Sequence, residues 1–407
     1  MWRDSKAERA TEEVAGFGLD TIEEKMRERV RATIEAIVEE ELEAALGARR
    51  GARVGAQRRG YRHGGRARTL TTSLGPTTLR VPRARLQGAA GQPREWRSRV
   101  LPRYQRRTAR VDEAILGVYL SGTNSRRRKG ALAPLLRGGP LSKDAVSRLV
   151  GRLKSDFEDW QQRDLSQEMI RYLMRDGWYP KVRIGRRRVR VPVLVTLGIK
   201  ADGERIVLDM RLAGQETTVA WQGVIEQLVA RQLGVPLLAI IDGNPGLHAA
   251  LRAQGPHLPI QRCTAHKLRN LLSRAPAHLR EEVAEDYRRM SYGKNREVIE
   301  SARRSFLKKW RVRCAVVAAS LEEAGEDLFT FLAFPPSQWK GVRTTNALER
   351  INGEFRRRTK TQASLPNEDA VVLLLFGLLR SGQVVLRRLT GWKEMPSASS
   401  LVQKQAA

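Results

Sequence analysis

The amino-acid sequence predicts a multidomain α+β protein in which an α/β core follows a basic, partly helical N-terminal region. The core is indicated by three β-rich runs, a helical run and an apolar run, which are Val182–Arg183, Arg190–Leu197, Arg205–Leu212, Thr217–Leu233 and Val235–Ile241. A short, fully apolar strand is typical of a position buried on both faces of a sheet. Three strands, a helix and a buried strand follow one another in the order of a ribonuclease-H-like fold, which we therefore expect here.

Helical patterns dominate the rest of the chain. They cover about residues 276–335, then Thr344–Lys360 and Asn367–Leu389. The predicted regions are an N-terminal helical region (1–50), an Arg-rich β-containing region (51–111), a helix-turn-helix-like helical domain (112–165), the first part of the core (166–263), a helical segment (264–340), the C-terminal helices of the core (341–392) and a tail (393–407).

Composition excludes several classes of protein. The chain has 407 residues, an apolar fraction of 41% and a formal net charge of +31. The apolar fraction is that of a folded protein, and the charge requires a polyanionic partner, of which nucleic acid is the first candidate and an anionic membrane the second. The longest apolar run, Ala370–Leu379, is too short for a membrane span, and the charged N-terminus lacks the apolar core of a signal peptide. Two cysteines exclude a disulfide framework and favour a reducing cytosol.

The positive charge is concentrated in one segment. Residues 51–110 hold sixteen arginines and a single acidic residue, Glu95, for a net charge of +15. Arginine binds phosphates and guanine edges through its planar fork, so this density favours DNA contact over a solvated basic face. Two short strands, Arg68–Leu74 and Thr77–Pro82, are expected within the segment. The candidate DNA-contacting residues are Arg58, Arg59, Arg62, Arg66, Arg83, Arg85, Arg103, Arg106 and Arg107.

Helices are predicted on both sides of this segment. Residues 20–46 show an amphipathic pattern that fits either a packed domain helix or a dimerisation helix. Three short helices are expected within residues 112–153, the third capped by Ser142. This arrangement fits a helix-turn-helix, and any small three-helix unit gives the same pattern. Lys143 and Arg148 of the third helix are further candidates for DNA contact.

Three carboxylates occupy positions that suit phosphodiester chemistry. Asp176 lies in RDGWY at the start of the core, Asp242 directly follows the buried strand, and Glu349 lies on a helix with Arg356, another candidate DNA contact. Open α/β sheets place ligands at the carboxyl ends of their strands, and two Mg²⁺ ions held by carboxylates can activate the attacking oxygen and neutralise the leaving one. Each residue alone also fits a structural role, because aspartate before glycine is often a turn residue and glutamate beside arginine is often a surface ion pair.

Several motifs resemble those of the mutator-type transposases of bacterial insertion sequences. The segments are RDGWYPKVR, DGNPGLHAAL, QRCTAHKLRN and RTTNALERINGEFRR, and the resemblance runs from about residue 20 to residue 390. It implies an Asp-Asp-Glu triad on a ribonuclease-H-like catalytic core interrupted by an all-helical insertion. Matched motif by motif, the triad is Asp176, Asp242 and Glu349. The family's Cys-x-x-His is matched by Cys263 and His266.

The resemblance implies a DNA transposase that binds the terminal inverted repeats of its insertion sequence and catalyses Mg²⁺-dependent nicking and strand transfer. The implied cofactor is a pair of Mg²⁺ ions held by the triad, with Mn²⁺ as a substitute. The implied partners are double-stranded DNA, both element ends and target, and further copies of the chain in a homodimer or higher oligomer. Neither a membrane nor a small-molecule substrate is expected, and the expected location is the bacterial cytoplasm, at the nucleoid. The alternative is a catalytically inactive, transposase-derived DNA-binding protein.

Two other interpretations of the segment around His266 stay open. The spacing of His266 and Arg269 matches the HxxR signature of tyrosine recombinases, with Tyr287 and Tyr292 as candidate nucleophiles. Cys263 and His266 could instead bind zinc, although two ligands do not complete a tetrahedral site. We favour a structural role in which this pair supports the active site.

Overall fold

A computed structural model describes residues 19–52, 58–88, 92–120, 132–133, 136, 143–184, 186–361, 365 and 367–395. The chain divides into two compact units, Met1–Tyr119 with Asn124–Val150, and Leu120–Thr123 with Gly151–Ala407. The mixed α/β architecture predicted from the sequence is confirmed, and the finer regional boundaries stay predictions. No helix in the described ranges combines the length and the apolar character needed to cross a membrane.

The first unit combines one long helix with a small antiparallel sheet. Its elements are α1 (Leu19–Leu46), β1 (Gly60–Thr72), β2 (Gly75–Gln87) and β3 (Pro93–Glu95), with the sheet order β1-β2-β3. The helix predicted over residues 20–46 is confirmed, and both predicted strands are parts of longer ones. Val38 of α1 packs in one apolar cluster with Leu70, Leu79 and Val81 of the sheet. This packing fixes a basic two-stranded ribbon on a helical support.

The helix-turn-helix prediction is tested only in part. The first and third helices are present as α2 (Ala109–Leu120) and α3 (Lys143–Gln162). Val111, Ile115, Leu132, Leu136 and Leu149 form one apolar cluster. The connecting residues 121–131, 134–135 and 137–142, including the predicted cap Ser142, lie outside the described residues, as do residues 396–407 of the predicted tail. The helix-turn-helix therefore stays a prediction.

The second unit is built on a five-stranded mixed sheet. The strands of the sheet are β4 (Ile170–Trp178), β7 (Val193–Lys200), β8 (Arg205–Leu212), β9 (Leu238–Ile241) and β10 (Ile260–Arg262). Between β4 and β7 the chain forms a separate hairpin of β5 (Lys181–Ile184) and β6 (Arg187–Arg190). The sheet order is β10-β9-β4-β7-β8, in which β7 pairs antiparallel with β4 and β8, while β9 pairs parallel with β4 and β10. Helices α4 (Thr218–Ala230) and α5 (Pro245–Gln254) connect the parallel strands.

One strand assignment from the sequence is wrong. Val182–Arg183 does not belong to the main sheet, because it forms the separate two-stranded hairpin β5–β6. The first strand of the sheet is instead β4, and the run Arg190–Leu197 is divided between β6 and β7. A short β-rich run shows strand propensity but not the sheet that it joins. The predicted buried strand is confirmed as β9, which lies between β10 and β4 and has all four residues buried. It is shorter than the predicted run Val235–Ile241, because Val235 is exposed and lies outside the strand.

Helices follow the last strand. They are α6 (Thr264–Arg274), α7 (Arg280–Ser291), α8 (Arg296–Arg313), α9 (Ala315–Ala324), the short α10 (Trp339–Val342), α11 (Asn346–Thr361) and α12 (Asp369–Arg380), with 3₁₀ turns among them. Tyr287, Phe306 and Trp310 form the aromatic core of α7 and α8. The final helix ends at Arg380, nine residues before the predicted Leu389. The segment between β10 and α11 is therefore helical, as the sequence predicted.

Candidate active site

Asp176 and Asp242 come together because they lie on adjacent parallel strands. Arg175 of β4 is in register with Ile241 of β9, so the next residue of each strand is an aspartate at the same edge of the sheet. Adjacent strands are roughly 4.8 Å apart. The Asp242 carboxylate also accepts a hydrogen bond from the backbone N–H of Asn244 at 3.0 Å, so it stabilises the turn that follows β9 as well.

Helix α11 reaches this edge through a buried hydrogen bond. Asn352 Nδ2 donates to Asp176 Oδ2 at 3.2 Å, and both side chains are almost fully buried. Leu348, Ile351 and Phe355 form the buried face of the helix, as the sequence predicted. The contact brings the first turn of α11, which carries Glu349, to the strand that carries Asp176.

The Glu349 carboxylate is held by two cationic side chains. Its Oε1 atom lies 2.7 Å from a terminal nitrogen of Arg269 and 3.6 Å from Nε2 of His266. Within the described part of the chain, no three His, Cys, Asp or Glu side chains converge as a ready-made metal site. The structure thus brings together the ends of β4 and β9 and the first turn of α11, with the Glu349 side chain directed toward α6.

Negative charge accumulates around Asp176. The pKa of Asp176 is raised to about 7, first by burial and then by the neighbouring charge of Asp242, with smaller contributions from Glu216 and Glu349. The pKa of His266 is raised to about 8, chiefly by its hydrogen bond with Cys263, and the charges of Asp176 and Asp242 act in the same direction. The site therefore favours added positive charge.

Cys263 and His266 connect the start of α6 to the start of α11. The Cys263 N–H donates to the Ile241 carbonyl at 2.7 Å, and its sulfur accepts the Thr345 N–H at 3.3 Å. Thr345 Oγ1 also lies 3.4 Å from Nδ1 of His266. Burial alone would raise the pKa of the Cys263 thiol, but the hydrogen bonds from His266 and Thr345 lower it. The pair therefore supports the helix that carries Glu349.

The two candidate tyrosine nucleophiles have different surroundings. Tyr287 is buried and donates its hydroxyl hydrogen to the Thr264 carbonyl at 2.9 Å, so it is packed within the helical segment between β10 and α11. Tyr292 is exposed, and the Arg343 guanidinium lies 3.9 Å from its ring centre. Neither hydroxyl makes a described contact with the three carboxylates.

Sequence reasoning missed two charged residues of the site, Arg269 as the ion-pair partner of Glu349 and the acidic residue Glu216. Glu216 lies two residues before α4, and its carboxylate accepts hydrogen bonds from the Tyr179 hydroxyl at 3.0 Å and the Trp221 indole N–H at 3.3 Å. Its pKa is raised by burial and by the charge of Asp242. The only sequence signal for Glu216 was its position between the strand Arg205–Leu212 and the helix that follows it.

The candidate DNA-contacting residues fall into two groups. Some are exposed and form no ion pair within the described ranges; these are Arg58, Arg59, Arg66, Arg103, Arg106 and Arg148. Others pair with acidic side chains: Arg62 with Glu39 and Glu43, Arg83 and Arg85 with Glu95, and Arg107 with Asp112. Arg356 is exposed on α11. Lys143 is the first residue of α3, and its side chain is not among those that the structure describes. The sequence did not distinguish free arginines from paired ones.

Comparison with known proteins places this arrangement in a family. A sequence model of the family described as "Transposase, Mutator family" matches residues 4–384. The transposase for insertion sequence element IS406 of Burkholderia multivorans is 34% identical over 327 residues, 79% of this chain and 81% of that protein. The transposase for ISRM5 of Rhizobium meliloti is 31% identical over 319 residues, 78% of each chain. The transposase for IS256 in transposon Tn4001 of Staphylococcus aureus is 29% identical over 320 residues, 78% of this chain and 80% of that protein.

The chain therefore belongs to the Mutator family of transposases. The resemblance identified from the sequence motifs is confirmed.

If Cys263 and His266 are structural, replacing them changes the placement of α11 and leaves the metal content of the protein unchanged. We expect His266→Ala to reduce DNA strand cleavage more than Cys263→Ser, because a misplacement of about 1 Å can cost about a hundredfold in rate. The measurements are single-turnover cleavage of a labelled element end and elemental analysis of the purified protein. His257→Ala, a change at an exposed histidine, is the control. Stoichiometric zinc that disappears together with activity in both variants would identify a zinc site instead.

Proposed function

We propose that the protein is a DNA transposase that binds the terminal inverted repeats of its own insertion sequence, and cleaves and joins DNA with Asp176, Asp242 and Glu349. The observation that carries the proposal is the register of β4 and β9, which sets two aspartates side by side next to the helix of Glu349. The order of three antiparallel strands followed by two parallel strands supports a ribonuclease-H-like core. The helical segment between β10 and α11 supports an insertion into that core.

The donor set fits a hard divalent cation. Asp176 lies beside a second carboxylate, and its pKa is raised by burial and then by the charge of Asp242, so a cation would offset the cost of its ionisation. Mg²⁺ prefers carboxylate oxygens and usually binds one or two of them together with water and substrate phosphate. Asp176, Asp242 and Glu349 would hold two Mg²⁺ ions, with Mn²⁺ as a substitute. When bound, the ions would lower the cost of charge on the attacking and leaving oxygens.

The chain's own residues prepare this chemistry. Asn352 fixes the orientation of the Asp176 carboxylate, and His266, protonated at neutral pH, neutralises part of the charge of Glu349. Arg269 is more than half exposed, so a DNA phosphate can compete with Glu349 for its guanidinium. In the nicking step, water attacks the phosphorus and the 3′ oxygen leaves as a free 3′-OH. In the joining step, that 3′-OH attacks a phosphorus of the next strand and displaces the 3′ oxygen bonded to it. One site serves both steps because only the attacking oxygen differs.

Recognition of the element ends is assigned to the first unit. This unit carries the exposed arginines, and the charges of Arg66 and Arg106 contribute to a lowered pKa at Arg68, after the larger effect of burial. These three guanidiniums therefore form a local excess of positive charge that suits phosphates. Two ends must be paired for transposition, which implies a homodimer or higher oligomer. The intact set of three carboxylates favours this function over an inactive DNA-binding relic.

Separate replacement of Asp176 and Asp242 by Asn and of Glu349 by Gln should each abolish nicking and joining while binding to element ends persists. Binding should stay equal or become slightly tighter, because each change removes a negative charge that repels phosphate. The measurements are gel-shift affinity and cleavage of a labelled end with Mg²⁺ or EDTA. Asp159→Asn, at an exposed aspartate, is the control. Efficient cleavage in EDTA or by Glu349→Gln contradicts the assignment, and a phosphotyrosyl adduct lost in Tyr287→Phe would favour a recombinase.

Arg66→Gln and Arg106→Gln should weaken binding to element ends more than Arg62→Gln does. Arg62 is already paired with Glu39 and Glu43, whereas Arg66 and Arg106 are exposed without an ion pair in the described structure. Each lost phosphate contact should reduce the slope of log affinity against log salt by about 0.9. The test is a salt titration of end binding for the three variants. Equal effects at all three positions would show that pairing within the unit does not select the DNA-contacting arginines.

A further inference from the structure

A second basic surface lies on the hairpin β5–β6, here called the basic hairpin (Lys181–Arg190). Its cations are all exposed: Lys181, Arg183, Arg186, Arg187, Arg188 and Arg190. Among the described residues, all of them except Arg183 lack an ion-pair partner. Val182 is buried on the other side of β5 and anchors the hairpin. The basic hairpin thus concentrates positive charge that the fold itself leaves uncompensated.

The basic hairpin is attached directly to the candidate active site. Lys181 follows Asp176 by five residues, which limits the distance between their Cα atoms to about 17 Å. The connecting residue Tyr179 is tied to Glu216 at the site. On its other side, β5 packs against α11, whose first turn carries Glu349, and the Leu365 N–H donates to the Arg183 carbonyl at 2.8 Å. These contacts fix the hairpin beside the edge of the sheet where the carboxylates lie.

We propose that the basic hairpin is a second DNA-binding surface that holds the phosphate backbone next to the phosphate being cleaved. This inference rests on the proposed function, because it requires DNA at the carboxylates. The charge of the basic hairpin favours DNA as its ligand, because exposed arginines bind phosphates. A DNA duplex is about 20 Å wide, so one duplex can contact both Asp176 and the basic hairpin. The hairpin contributes affinity at the reacting phosphate, whereas the first unit supplies recognition of the end sequence.

The test uses the full chain with the triple change R186Q/R187Q/R188Q. We expect the salt slope of end binding to fall by up to about 2.7, which is about 0.9 for each of three phosphate contacts. In a hydroxyl-radical footprint, protection at the cleavage position should disappear while protection over the rest of the end persists. The matched control is K294Q/R304Q/K308Q, which removes three exposed, unpaired cations from the helical insertion.

An unchanged salt slope and footprint overturn the proposal, as does an equal loss in the control. Unchanged DNA binding together with lost binding to vesicles of anionic lipid would assign the hairpin to a membrane surface instead. The salt slope and the footprint both measure DNA binding and do not depend on catalysis. A wild-type protein that shows hairpin-dependent protection but never nicks DNA would therefore contradict the proposed function and leave this inference standing.

A different observation concerns Glu216, whose carboxyl group occupies the space beside Gly177. A Cβ atom added at Gly177 would lie 2.5 Å from the Glu216 carboxyl carbon, so any side chain at position 177 would displace this carboxyl group. The neutral donors Tyr179 and Trp221 hold the two oxygens in place. No described cation forms an ion pair with this carboxylate. A fixed, unneutralised negative charge therefore lies against the residue that follows Asp176.

The geometry points to Glu216 as a positioning residue that strengthens cation binding by the Asp176–Asp242 pair through its charge. A change of Glu216 to glutamine removes the charge but keeps the shape of the side chain, so its effect distinguishes an electrostatic role from a structural one. Glu216→Gln should weaken Mn²⁺ affinity, measured by the EPR signal of free Mn²⁺, by about threefold or more. The melting temperature without metal should stay equal or rise, because repulsion with the aspartates is relieved.

Two variants control this experiment. Glu226→Gln removes a charge from an exposed position of α4, the helix that follows Glu216, and should leave Mn²⁺ affinity unchanged. Tyr179→Phe removes one hydrogen bond but keeps the charge of Glu216, so it should retain more affinity than Glu216→Gln. Unchanged Mn²⁺ affinity in Glu216→Gln overturns the inference, whatever its melting temperature. Equal losses in Tyr179→Phe and Glu216→Gln would show that the contact matters rather than the charge.

Discussion

The hydrogen bond from Asn352 to Asp176 is the constraint on which the site depends. Asp176 lies on the first strand of the sheet, and Asn352 lies on a helix that follows a helical insertion, 176 residues later. The bond is buried, so its loss would leave two polar groups without water and would cost about 1–3 kcal/mol. Because Glu349 lies one turn before Asn352, this contact brings the third carboxylate near the two aspartates, together with the contacts of Cys263 and His266 to Thr345.

The second organising feature is an electrostatic competition. Parallel pairing of β4 and β9 forces Asp176 and Asp242 into proximity, while Arg269 and His266 attract Glu349 toward α6. Under the proposed function, cations would relieve the repulsion between the aspartates, and a DNA phosphate would compete with Glu349 for Arg269. Cation binding and DNA binding would therefore favour the same arrangement of the three carboxylates.

The sequence predicted those features that follow from regular secondary structure. The fully apolar run before Asp242 predicts a buried strand that ends where open sheets bind their ligands. The strand β4 that carries Asp176 and its parallel pairing with β9 were not predicted, and the three carboxylates were assigned as a set from the motifs of the family. The basic hairpin was missed as a separate element because propensity does not specify strand partners. Glu216 and Arg269 were missed because their roles arise from contacts between distant segments, such as the space left by Gly177. Pairing within the first unit likewise distinguished Arg62 from Arg66 only in three dimensions.

The central claim is that Asp176, Asp242 and Glu349 bind one cation centre. Iron-directed cleavage of the polypeptide tests it most directly, because Fe²⁺ bound in place of Mg²⁺ generates hydroxyl radicals that cut the nearby backbone. With ascorbate and element-end DNA, the account predicts cuts close to residues 176, 242 and 349 that excess Mg²⁺ suppresses together. Cuts at other positions, or at only one of the three segments, would contradict it.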